Sequence, residues 1–94
     1  PPRSTLFPYT TLFRSMYNVD THRNLVQNTI AAMRWMFQML GLREVTFSYE
    51  NSAIHTLAQM MVEHAGVPGL HLHTQKLRGK IHDTLFVLDP LERT

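Results

Sequence analysis

Val26, Ile30, Met33, Phe37 and Leu40 recur at intervals of four, three, four and three residues. Only an α-helix brings positions so spaced onto one face, so this stretch must be a helix that buries that face against something. The pattern predicts a helix from about Thr21 to Leu40, with Asp20 or Thr21 to cap its start and Gly41 to stop it. Trp35, Met36 and Met39 widen the apolar face, and core packing accounts for such a Met/Trp stripe.

The period then changes. In Val45–Glu50, Val45, Phe47 and Tyr49 alternate with Thr46, Ser48 and Glu50, which is the period of a strand. Asn51 and Ser52 break it and can cap a second helix. Ile54, Leu57, Ala58, Met61 and Ala65 follow helical spacing up to Gly66. Val67-Pro68-Gly69 reads as a turn and Leu70–His73 as a short strand. Thr74 to Gly79 reads as a polar, basic loop. Ile81, Leu85 and Leu88 suggest a third helix ending near Pro90. The expected fold class is therefore α/β, in the order helix, strand, helix, strand, helix. The two strands are expected to be adjacent and parallel, joined by a right-handed crossover. Chemistry in open α/β sheets gathers beyond the carboxyl ends of strands, where this reading puts Glu50 and His73.

The chain has 94 residues, 44% of them hydrophobic and 17% charged, with no cysteine. That apolar fraction argues against disorder. No apolar run approaches the roughly 20 residues of a membrane span, so no membrane partner is expected. Disulfides and thiolate zinc sites are excluded. The formal charge of +2 invites a nucleic-acid reading, but residues 1–15 distort it. Those fifteen residues, Pro1 to Ser15, resemble the translation of a short-read sequencing adapter in one frame. They are set aside as a non-native segment, expected to pack poorly against the rest. The remaining residues, 16–94, are read as one partial α/β domain. Without Arg3 and Arg14 the nine Lys/Arg become seven, against seven Asp/Glu, and the net charge is zero. The expectation is an internal piece of a larger protein of environmental origin.

Glu50 ends a strand just before a helix start. A carboxylate there can hold a hard cation such as Mg²⁺, and the helix dipole favours its ionised form. The plainer alternative is a solvated strand-end or capping carboxylate. Lys76, Arg78 and Lys80 form the one local basic cluster, suited to phosphate contacts, with a solvated loop as the alternative. His71 and His73 share a strand face and, with His55, could form a metal site. A half-buried His pair beside Leu70 and Leu72 is the alternative. Asp83 and His82 lie on different faces of the third helix and make no acid/base pair. No glycine-rich phosphate fingerprint, nucleophile elbow or Ser-His-Asp arrangement is present.

As an ordered set, these parts resemble the nuclease domain of a phage terminase large subunit, from about Asn24 to Leu91. The features that carry it are the helix to Leu40, Val45–Glu50, Asn51-Ser52 and Ile54–Ala65. Leu70–His73, Gln75-Lys76 through Lys80-Ile81, and Asp83-Thr84-Leu85 complete it. The resemblance implies a ribonuclease H-like fold, here incomplete, and a metal-dependent DNA endonuclease in a viral DNA-packaging motor. It implies that Glu50 is the middle carboxylate of an acidic triad holding two Mg²⁺ or Mn²⁺ ions about 4 Å apart. The triad's first Asp would precede Met16 and its last would follow Thr94, so this piece alone is expected to be inactive. Implied partners are double-stranded DNA, the portal and the small terminase subunit, in the cytoplasm of an infected bacterial host. The competing readings are a non-nuclease α/β module, such as a His-ligated metal hydrolase, and a junction-resolving nuclease.

Overall fold

The computed structural model describes residues 21–90. The adapter-like segment 1–15, its packing, and the capping role of Asp20 lie outside the described residues. Helix α1 spans Thr21–Arg34 and continues as a π-helical turn over Trp35–Met39. Val26, Ile30, Met33 and Phe37 are buried as their spacing requires. Leu40 departs from the pattern and is 50% exposed. The wider turn is the cause: Leu40 N–H donates to Trp35 O, five residues back, at 3.0 Å. The added residue rotates Met39 and Leu40 off the buried face; of the stripe expected to widen it, Met36 is buried, while Trp35 and Met39 are exposed.

Strand β1 covers Glu44–Tyr49 and helix α2 covers Ile54–Ala65. Neither Asn51 nor Ser52 caps the helix: the residue before it is Ala53, with no side-chain cap, and Asn51 instead closes the turn ahead of it, its Oδ1 accepting from Ala53 N–H at 2.9 Å and its carbonyl oxygen from Ile54 N–H. Gly66 ends the helix in the left-handed region at φ 68°, where a side chain would be strained. The Arg34 Nε donates to Ala65 O at 2.8 Å, so the last residue of α1 closes the carbonyl end of α2.

Beyond α2, the expected elements need correction. Strand β2 does not stop at His73 but runs over Leu70–Arg78. The expected basic loop is thus mostly strand, and the connection shrinks to Gly79-Lys80. Arg78 and Ile81 pair across it. Gly79 has φ 66° and no non-glycine residue described has positive φ, the pattern of a type II′ hairpin with glycine first. The expected third helix is strand β3, Ile81–Leu88. Its residues fit both periods on paper. As the middle strand it contacts neighbours on both sides, and its outward side chains are half-buried, so it lacks the clean alternation that marks an edge strand.

The sheet order is β1-β3-β2, and both ladders are antiparallel. The expected pairing of two adjacent parallel strands, and with it the ribonuclease H-like arrangement, is therefore not found. β1 and β2 do point the same way, because each opposes β3. The crossover through α2 fixed their common direction but left room for β3 between them. What holds is a small α/β unit of two helices and a three-stranded antiparallel sheet. One core lies between the helices and one sheet face. It joins Ile30, Met33 and Phe37 with Ile54, Ala58, Met61, Tyr49, Leu70 and Phe86. Phe86 is fully buried and meets Phe47 edge to face at 5.9 Å between ring centres.

Candidate functional site at the hairpin end of the sheet

Because β1 and β2 run in one direction, their carboxyl ends share one end of the sheet. Tyr49 pairs with His82, and Arg78 pairs with Ile81. Glu50, the start of α2, the Gly79-Lys80 turn and His82 therefore gather there. Two strand spacings put the β1 and β2 ends about 10 Å apart. Glu50 and Lys80 are exposed. His73, expected at a strand end, instead lies in mid-strand.

The outer sheet face carries a polar pin across all three strands. Asp83 Oδ1 accepts from Ser48 Oγ of β1 at 2.7 Å. The same carboxylate accepts from Arg78 Nε at 2.9 Å and Nη2 at 3.2 Å, a bidentate pair. These hydrogen bonds, Arg78 first and Ser48 second, hold the Asp83 carboxyl below the usual carboxylate range. Arg78 is raised in turn by the Asp83 hydrogen bond. Of the three candidate phosphate-binding cations, Arg78 thus already has an anionic partner. Lys76 lies opposite Asp83 in register and is exposed, as is Lys80 in the turn.

On the helix-facing side of the same end, Ile54, His55, Gln75, Lys76, Leu77 and His82 line a shallow cleft. Gln75 Nε2 donates to Ile54 O at 3.2 Å, tying β2 to the start of α2. The His55 and His82 rings meet edge to face, 6.1 Å apart. The first amides of α2 are taken up locally, Ile54 by Asn51 O, His55 by Ser52 O and Thr56 by Ala53 O. The helix start consequently offers few donors to an anion.

His55 does not join His71 and His73, as a three-histidine site would require. His71 and His73 are neighbours, 6.1 Å between ring centres, but His55 turns to His82. Among the described residues no group of three or more His, Asp or Glu side chains converges as a metal site. The sequence pairs His71 with His73, as the structure does, but does not show His82 beside His55 or Asp89 beside His71. Had Ile81–Leu88 been read as a strand, alternation would have sent His82 inward with Thr84 and Phe86, and Asp83 outward. Asp89, whose Oδ2 lies 3.2 Å from His71 Nδ1, gave no local signal.

Among the described residues no helix is long and apolar enough to cross a membrane. No protein-family model matches the chain, and no curated protein or solved structure matches it significantly.

Proposed function

We propose that the hairpin end of the sheet handles nucleic-acid phosphates in a larger α/β domain. The observation that carries this reading is the shared end itself, where a strand-end carboxylate, Glu50, and the exposed cations Lys76 and Lys80 lie within two strand spacings. Lys76 and Lys80 contact the backbone of double-stranded DNA without reading bases. Arg78 stiffens the hairpin through Asp83 and is the weaker contributor. In its finer form, the reading makes the parent a metal-dependent DNA endonuclease, as the terminase resemblance implies. Glu50 is then one ligand of a Mg²⁺ or Mn²⁺ centre whose other carboxylates come from outside residues 21–90.

A non-nuclease α/β module is the second reading. The strand order favours it, since β3 separates the two strands that the nuclease resemblance pairs directly.

Duplex-DNA affinity measured across a salt series tests the binding claim. Lys76→Ala and Lys80→Ala should each lower the salt slope by about 0.9, the share of one phosphate contact. An unchanged slope in the double variant would return the hairpin to a solvated turn. In the larger protein, Glu50→Gln should abolish metal-dependent plasmid nicking while DNA affinity persists. Nicking at the original rate would remove the endonuclease reading and leave the binding one standing.

A further inference from the structure

We propose that His71 and His73, with Asp89 behind His71, form a two-imidazole site for a divalent transition metal such as Zn²⁺ or Ni²⁺. The site is separate from the hairpin end and does not depend on the function proposed for it.

Three features build it. First, the two rings lie 6.1 Å apart between centres on one strand. Metal–nitrogen bonds of about 2.0–2.1 Å at a tetrahedral angle bring ring centres to about 5 Å. His73 is exposed, so a small side-chain rotation closes the difference. Second, His73 sits in a β-bulge. Leu72 pairs with Phe86 and Thr74 with Leu85, so His73 has no residue opposite it. A bulge frees a side chain from the regular pleat and re-aims it. Third, Asp89 Oδ2 is 3.2 Å from His71 Nδ1. That carboxylate favours the tautomer with the proton on Nδ1, which leaves the Nε2 lone pair for a metal. Asp89 is itself held by its backbone, its N–H donating to Gly69 O at 2.9 Å. Gly69 has φ 85°, and a Cβ there would lie 2.8 Å from Asp89 O, so only glycine permits this approach.

The site supplies two nitrogen ligands, and water or a ligand donor completes the coordination. Imidazole suits Zn²⁺, Ni²⁺ and Cu²⁺, whereas Mg²⁺ prefers oxygen, so the site discriminates against the cation proposed for Glu50.

Titration of the full chain with Zn²⁺ and with Ni²⁺, followed by calorimetry and by NMR of the histidine ring nitrogens, tests the proposal. Zn²⁺ should shift the rings of His71 and His73 and leave those of His55 and His82 in place. His73→Ala should weaken binding at least tenfold, and Asp89→Asn by about tenfold, the lower end for loss of a carboxylate behind a ligating histidine. The double variant His55→Ala/His82→Ala should bind as the parent does, and excess Mg²⁺ should not displace Zn²⁺. Thermal melts of each variant verify that it folds, and the ring shifts of the unaltered chain stand without any variant. Shifts at His55 and His82 instead, unaltered affinity in His73→Ala, or no binding at all would overturn the proposal.

Discussion

Among the described residues three buried side chains carry hydroxyls, Thr29, Tyr49 and Thr84, and they show how differently one buried polar group can behave from another. Tyr49 is buried, and its hydroxyl lies 2.9 Å from Thr29 Oγ1 on α1. Burial pushes its pKa well above the ordinary tyrosine range, with the Thr29 hydrogen bond acting in the opposite direction. A raised native pKa means that the folded state holds its proton longer than the unfolded chain. The resulting stability is complete below about pH 10 and declines as pH rises past the unfolded value. Alkaline melts should show that decline, and Tyr49→Phe should flatten it while lowering neutral-pH stability by about 1 kcal/mol. Thr84 is the contrasting case: fully buried, with no partner for Oγ1. Thr84→Val removes the unpaired hydroxyl and keeps the branched shape, so it should raise stability by about 1 kcal/mol in denaturant unfolding.

Among the elements, the outer-face pin of Ser48, Asp83 and Arg78 joins β1, β3 and β2 through one carboxylate. Asp83 is held below the usual carboxylate range, so its contribution is present above the unfolded value near 3.9 and is lost as pH falls below it. Acid unfolding of Asp83→Asn should be less steep than that of the parent over that window. An identical acid profile would make the pin ornamental. The helices and β1 were legible from sequence because each buries one face only: Ile30, Met33 and Phe37 repeat as a helix must, and Val45, Phe47 and Tyr49 as a strand must. Three elements were not. Leu40 keeps a core spacing yet faces solvent, because a π turn leaves no mark in the hydrophobic pattern. Lys76 and Arg78 look like loop because an exposed strand end carries the polar residues of a loop. Ile81–Leu88 lacks a clean strand signal because, in a middle strand, the side chains of both neighbours half-bury the outward residues and blur the alternation.

At the scale of the molecule, β3 decides the topology. Reading it as a helix leaves β1 and β2 as neighbours, whereas as a strand it completes a sheet that needs no parallel pair. The same placement assembles the candidate site. Glu50 was legible as a strand-end carboxylate, and the basic cluster as a cluster. That they share an end follows only from both strands opposing β3. The direct test is an NMR titration of the chain with a short DNA duplex at low salt. Phosphate binding at the hairpin end predicts amide shifts at Glu50, Asn51, Gly79, Lys80 and Ile81, fading as salt rises. Shifts confined to the opposite end, around Gly41, Glu44 and Gly69, or none at low salt, would contradict it.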